Sequence, residues 1–135
     1  MVHYVHGPQT IVRMRVDSST TAISVGDFVV AATAGYVKRA SAGETPVGIA
    51  MEACAVPTAD GDLAINVDVS RESVWEYPPD AGTVSQGLCN TTMDIGGANS
   101  INIDASSQDV IIVRSVNIAQ NTLQVSLIPT YAGVV

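Results

Sequence analysis

The sequence is poor in the residues that build long amphipathic helices. Its 135 residues include only four leucines, four glutamates and one lysine, and aromatic residues make up 4%. Helix interiors favour long unbranched side chains, because these lose little rotamer freedom there. We therefore expect almost no helix, and without crossover helices the strands should pair mostly antiparallel.

Positive charge is also scarce. Six lysines and arginines stand against thirteen aspartates and glutamates, which gives a formal net charge of −7. A nucleic-acid site needs clustered cations with interleaved aromatics to meet the phosphates and bases. The cations are instead scattered along the chain, so we expect no direct binding of nucleic acid; they are Arg13, Arg15, Lys38, Arg39, Arg71 and Arg114.

Long apolar runs are absent as well. Runs such as Val110 to Val113 are far shorter than the roughly 20 residues of a membrane-spanning helix. Residues 1–10 lack a basic start and an apolar core, so we expect neither an export signal nor membrane association. The two cysteines, Cys54 and Cys89, either form one disulfide or, as is commoner in a chain with an adequate core, are small buried apolar side chains.

What the sequence has in abundance is β-branched residues. Twenty valines, eleven isoleucines and eleven threonines make up 42 of the 135 residues, a composition typical of β-strands. We predict an all-β fold of nine or ten short strands, a small antiparallel β-barrel or β-sandwich. The predicted strands are Ile11 to Val16, two short strands about a glycine turn within Ile23 to Val30, Tyr36 to Ala40, Pro46 to Ala53, Leu63 to Val69, Glu72 to Tyr77, Ser100 to Asp104, Asp109 to Ile118 and Thr122 to Ile128.

The chain length fits a single domain with an adequate core. Residues 1–10 show no sustained period and are predicted to be an extended N-terminal arm, which stays mobile unless something docks it. Residues 11–135 are predicted to form the one β domain. Within it, Leu63 to Val69 alternates cleanly, so Asp68 is expected to face solvent.

Two pairs of side chains resemble metal sites only superficially. His3 and His6 have a spacing that would bring two imidazoles together on a helix, but the arm is not helical in pattern and no third ligand is close. Asp60 and Asp62 flank a glycine without the remainder of a calcium-binding loop. We expect exposed histidines, a hairpin turn and no metal.

Catalytic patterns are equally incomplete. Glu72 and Glu76 are predicted to share one strand face, about 13 Å apart at ~3.3 Å per residue, which is too far for a glycosidase carboxylate pair. The glycine pair 96–97 is followed by neither lysine nor helix, so it is interpreted as a tight turn rather than a phosphate cradle. A small trimeric nucleotide hydrolase of similar size would need a run of Gly, Asp and Arg that is missing. We predict no enzyme, no catalytic residue and no cofactor.

One aromatic pair keeps a different function open. Trp75 and Tyr77 lie on the same side of a predicted strand, and half-exposed rings in this arrangement stack on sugars, although such a pair belongs as often to an interface or to the core. Carbohydrate binding is therefore kept as an alternative.

Residues Ile23 to Ala53 resemble a known family. The segments Ser-Val-Gly-Asp-Phe-Val-Val (24–30), Gly-Tyr-Val-Lys-Arg-Ala (35–40) and Ala-Gly-Glu-Thr-Pro-Val-Gly-Ile-Ala (42–50) are similar to short β-rich phage head proteins encoded near the major capsid protein. These act as decoration, or cement, proteins. The resemblance covers 31 of 135 residues.

The resemblance implies a small β-barrel or β-tulip domain that clusters as a homotrimer on the outer surface of the expanded capsid. It also implies that the major capsid protein is the partner and that neighbouring capsomers are tied together in the virion. The protein would be made in the host cytoplasm. The alternative function is a carbohydrate-binding β domain of a phage tail or fibre that uses Trp75 and Tyr77.

The N-terminal arm is the expected capsid contact. Arms of this kind suit addition to the sheet edge of another chain. We expect Val2 to Thr10 to dock on the capsid shell through the apolar side chains of Tyr4, Val5 and Pro8. On this hypothesis, deletion of residues 1–10 abolishes capsid binding and leaves the thermal melt unchanged.

Overall fold

A computed structural model describes residues 2–104 and 106–128. Within them lie eleven β-strands and two single 3-10 turns, Thr33–Gly35 and Gln86–Leu88. The strands are β1 (His3–His6), β2 (Ile11–Arg15), β3 (Phe28–Ala31), β4 (Val37–Arg39), β5 (Gly48–Ala50), β6 (Ala64–Asp68), β7 (Val74–Tyr77), β8 (Thr92–Gly97), β9 (Ser100–Asn102), β10 (Ile111–Asn117) and β11 (Thr122–Leu127).

The strands form two sheets. The first has the order β1-β7-β11-β10-β8-β9, and the second has the order β2-β6-β5-β3-β4. Every pairing between these strands is antiparallel. The predicted all-β, antiparallel fold is confirmed, and the two packed sheets correspond to a small β-sandwich.

The main core lies between the two sheets. Its largest side chains are Trp75 and Tyr77 of β7, which meet Phe28 and Ile49 from the second sheet. The rings of Phe28 and Tyr77 stack with their centroids 4.4 Å apart. The Tyr77 hydroxyl donates to the Gly26 carbonyl at 2.6 Å. Burial, more than any nearby charge, raises the pKa of Tyr77 well above its ordinary value.

A second core lies on the opposite face of the second sheet. Successive residues of a strand point to opposite faces, so Phe28 enters the main core whereas Val29 enters the second one. Chain segments beside the sheet cover this face, and its buried side chains are Val16, Ile23, Val29, Val37, Ala50, Cys54, Ile65 and Val67. The second sheet is therefore buried on both faces over much of its area.

Two of the four sheet edges are covered by other parts of the chain. Beside β4, the Asp17 amide donates to the Val37 carbonyl at 2.8 Å, and the Arg39 amide donates to the Thr20 hydroxyl at 2.9 Å. Beside β9, Ile101 exchanges hydrogen bonds with residues 78–80. In the described residues, the edges without a neighbouring strand or segment belong to β1 and β2.

The glycine pair Gly96–Gly97 does not form the predicted tight turn. Both residues end β8, and the turn to β9 falls on Ala98 and Asn99. A Cβ at Gly96 would lie 2.6 Å from the Cβ of Asp80. The glycine is needed there for close approach within the strand and not for a turn.

The two cysteines are both free. Cys54 is buried in the second core, and burial, followed by the nearby Glu52 charge, raises the pKa of its thiol. The interpretation as small apolar side chains therefore holds for Cys54, and Cys89 is only partly buried. None of the described residues forms a helix long and apolar enough to cross a membrane.

Asp94 of β8 ties down the loop before β10. Burial opposes ionisation of this carboxyl group, but hydrogen bonds from Gln108, Asp109 and Ser107 together outweigh it and lower its pKa. A lowered folded-state pKa contributes stability above the ordinary value, and this contribution is lost as the pH falls through the folded value.

We expect Asp94→Asn to lower the free energy of unfolding at pH 7 by about 1–2 kcal/mol, since hydrogen bonds to a charged group are the stronger kind. The variant should also lose less stability than the wild type between pH 5 and about pH 3. Urea unfolding at several pH values measures both effects. Asp104→Asn, at an exposed aspartate of the same region, is the control and should match the wild type.

Candidate functional site

The N-terminal segment is extended, as predicted, but it is not a free arm. Residues 3–6 form β1, which pairs with β7 so that Tyr4 lies opposite Trp75 and His6 lies opposite Val74, with a bulge between them. The physical reason is that the edge of β7 offers backbone partners, which an extended chain takes up. Because β1 lies against Trp75, the structure changes one expectation: deletion of residues 1–10 should lower the Tm and not leave the melt unchanged.

The connection from β1 to β2 is also anchored. The Thr10 amide donates to Oδ1 of Asp68 at 3.2 Å, and the Thr10 carbonyl accepts from the Val69 amide at 2.9 Å. The Ser70 hydroxyl donates to the Pro8 carbonyl at 2.7 Å. From residue 3 to residue 15 the chain is thus held first by β7, then by residues 68–70, and finally by β6.

Asp68 is fully buried, so its predicted exposure to solvent is wrong. Its Oδ2 accepts from the Trp75 indole at 3.1 Å, and its Oδ1 accepts from the amides of Thr10 and Ser70. The alternation of residues 63–69 distinguishes the two faces of the strand, but it does not indicate that other parts of the protein cover both faces. The sequence signal that was available is the tryptophan, since a buried indole N–H needs an acceptor.

The three predicted contact residues sit on or beside β1. Tyr4 is 39% exposed, and its ring meets the edge of the Trp75 ring with the centroids 5.8 Å apart. Its hydroxyl donates to the Gly7 carbonyl. Val5 is partly buried and Pro8 is exposed. Tyr4 and Pro8 therefore present apolar surface to solvent, and Val5 does so only in part.

The second open edge, β2, is mostly exposed to solvent. Val16 just beyond it is buried and Met14 is partly buried, but Val12 is 41% exposed and Ile11 is 46% exposed. We call the outward side of residues His3 to Arg15 the N-terminal edge. It joins the open sides of both sheets in one continuous stretch of chain.

Charge on the N-terminal edge is positive along β2. Arg13 forms an exposed ion pair with Glu52, 3.1 Å between Nη1 and Oε1, and also reaches the Asn66 side chain. Arg15 donates to the Gly61 carbonyl at 2.7 Å, and it has no carboxylate within ion-pair distance among residues 2–104 and 106–128.

The sugar-stacking platform is not formed. Trp75 is 2% exposed and Tyr77 is fully buried, because both point into the main core between the sheets. Alternation correctly placed the two rings on one face, but that face is covered. Neither ring offers a flat surface to a carbohydrate.

The other candidate residues are held apart or engaged locally. Glu72 lies in the bend before β7, so it does not share a strand with Glu76, whose Oε1 accepts from Gln124. Asp60 accepts from the amide and hydroxyl of Ser18, and Asp62 accepts from the Ala59 amide.

The histidines of β1 are both exposed. Within the described parts of the chain, no three His, Cys, Asp or Glu side chains come together to hold a metal ion. What the fold does bring together is the apolar and basic residues of the N-terminal edge.

No protein-family model, no curated protein and no solved structure matches this chain. Its own surface is the basis for the functional proposal below.

Proposed function

We propose that this protein is a non-enzymatic capsid decoration protein. It binds the outer surface of a phage head, contacts the major capsid protein through the N-terminal edge and bridges neighbouring capsomers. The observation that carries the proposal is the position of this edge: both open sheet edges among the described residues come from one segment, and that segment exposes Tyr4, Pro8, Ile11 and Val12.

Two features support a role in assembly. Open strand edges with exposed apolar side chains are unusual on a free protein, because they promote association, so they mark a surface that is covered in use. The residues that resemble phage cement proteins, Ile23 to Ala53, supply β3, β4 and β5 of the sheet whose edge is β2.

The proposed assembly is a homotrimer on the virion surface. Trimerisation is what the resemblance to cement proteins implies, and a closed symmetric assembly is the usual form of a homo-oligomer. Exposed large apolar side chains outside residues 3–15 are available to its interfaces at Val25, Val47, Val56 and Leu63. Light scattering on the purified protein measures the oligomeric state directly.

Binding to capsids tests the proposal. The purified protein is sedimented with expanded heads of its virus that were prepared without it, and bound copies per capsomer are counted by mass spectrometry. We expect saturable binding at a symmetry-compatible number. Replacing both Tyr4 and Pro8 by serine should weaken binding about tenfold or more, because a few apolar anchors carry most of an interface's free energy.

The matched control is Ile118→Ser. Ile118 is 55% exposed and lies in the turn between β10 and β11, away from the N-terminal edge in the strand order. This variant removes comparable apolar surface and should bind as the wild type does. A folded wild-type protein that fails to sediment with the heads would overturn the proposal, and equal losses in both variants would overturn the assignment of the surface.

A further inference from the structure

The open edge of β2 has unused backbone hydrogen-bonding groups. Antiparallel pairing alternates between hydrogen-bonded and non-hydrogen-bonded pairs. Two hydrogen bonds at the ends of β2 show which of its residues face β6. The Val69 amide donates to the Thr10 carbonyl, and the Val16 amide donates to the Leu63 carbonyl. Val12 and Met14 therefore bond to β6, whereas the amides and carbonyls of Ile11, Arg13 and Arg15 point away from it.

This edge has only part of the usual protection against strand addition. Natural edges carry proline, a bulge or charged side chains, and of these β2 has only the charges of Arg13 and Arg15. The sequence Ile-Val-Arg-Met-Arg of β2 has no proline, and its register with β6 is unbroken over all five residue pairs. β1, by contrast, is interrupted by a bulge. At the far end, the bridge between Val16 and Val37 stops any further pairing, so the open edge is five residues long.

The side chains of this edge select for charge. Arg13 and Arg15 are two residues apart and thus lie on one face, with apolar Val12 and Met14 on the other. They are two of only six cations in a chain of net charge −7. Arg15 lacks a carboxylate partner within the part of the chain that the structure describes.

We propose that β2 accepts an extended segment of the partner protein as an additional antiparallel strand, with acidic side chains at alternate positions opposite Arg13 and Arg15. Apolar residues of the incoming strand lie beside Val12 and Met14. Main-chain hydrogen bonds to residues 11, 13 and 15 supply affinity, and the two arginines supply selectivity. The identity of the partner as the capsid protein rests on the proposed function. The acidic, extended character of the incoming strand rests on the geometry and charge of β2.

A second copy of the same strand fits this edge poorly. Antiparallel pairing of β2 with β2 brings arginines of the two copies against each other, and like charges on opposite residues are destabilising. An acidic strand instead gains an opposite-charge pair at Arg15, and at Arg13 it shares the guanidinium with Glu52.

Hydrogen exchange with peptide probes tests the inference without any capsid. The full chain is labelled with ¹⁵N and titrated with a capped octapeptide of alternating valine and aspartate, or with the same peptide carrying lysine in place of aspartate. We expect slower exchange at the amides of Ile11, Arg13 and Arg15 and no change at Val12 and Met14. The aspartate peptide should bind about tenfold more tightly, since two opposite-charge pairs replace two repulsive ones.

The double variant Arg13→Glu, Arg15→Glu should reverse this preference, and Arg13→Lys, Arg15→Lys should preserve it. Ile11→Pro removes an outward amide at the strand start, where proline is tolerated, and should weaken both peptides. Absence of alternate protection, or equal binding of the two peptides, overturns the inference. Protection that grows with protein concentration alone would assign the edge to a second copy and overturn it as well. No phage heads are used in this experiment, so it is independent of the head-binding test. If the peptides fail to bind, the proposed function is unaffected; if the protein fails to bind heads, the peptide result is unaffected.

Discussion

Asp68→Ala should lower the free energy of unfolding by about 3 kcal/mol, which for a domain of this size corresponds to a fall in Tm of about 10 °C. Asp68 is fully buried and accepts three hydrogen bonds, from the Trp75 indole at 3.1 Å, the Thr10 amide at 3.2 Å and the Ser70 amide at 3.0 Å. Alanine leaves all three donors unsatisfied, and unpaired buried donors cost more than the net value of the bonds themselves.

A double-mutant cycle separates this anchoring role from a general effect of cavity formation. Trp75→Phe removes the indole donor, so Asp68→Ala should cost less free energy in that background than in the wild type. Asp68→Asn, which keeps an acceptor oxygen and the side-chain volume, should cost about 1 kcal/mol. Urea unfolding followed by circular dichroism measures each value. Strict additivity of the two single variants would contradict a direct bond between Asp68 and Trp75.

The strands were predictable wherever apolar and polar residues alternate along the chain. The predicted strand Thr122 to Ile128 agrees with β11 to within one residue, and Ile11 to Val16 agrees equally well with β2. Period-2 alternation carries this information, because it reports the two faces of a strand directly. β8 was not predicted, since its pair of glycines at 96–97 was interpreted as a turn, and glycine lacks the side chain that alternation needs.

The neighbours of each strand were not predictable from the same pattern. Alternation says which face is apolar but not which strand lies alongside. Alternation alone therefore does not indicate that residues 3–6 pair with β7, or that the second sheet is covered on both faces and buries Asp68. For the same reason Trp75 and Tyr77 were correctly placed on one face and incorrectly taken to be half-exposed.

Gly7→Ala should destabilise the protein by about 3 kcal/mol and release β1 from β7. Gly7 has φ +96°, a backbone conformation that L side chains rarely adopt, and a Cβ there would lie 2.3 Å from the Glu72 carbonyl oxygen. The left-handed conformation alone costs an alanine about 1 kcal/mol. The remaining cost comes from the clash with the Glu72 carbonyl. This is a backbone group held in place by the strand that follows it, so the N-terminal segment has to move instead.

Gly35→Ala isolates the conformational part of that cost. Gly35 has φ +85° with nothing within 4 Å of a Cβ, so its substitution should cost about 1 kcal/mol and leave β1 in place. In Gly7→Ala, the amides of β1 should exchange faster while those of β10 and β11 stay protected. If Gly7→Ala is no more destabilising than Gly35→Ala, β1 is a free arm in solution. If Gly7→Ala is more destabilising and the variant also binds heads more weakly, the docked strand is the form that the capsid recognises. The reason is that the edge formed by β1 and β2 exists only while residues 3–15 are held along both sheets.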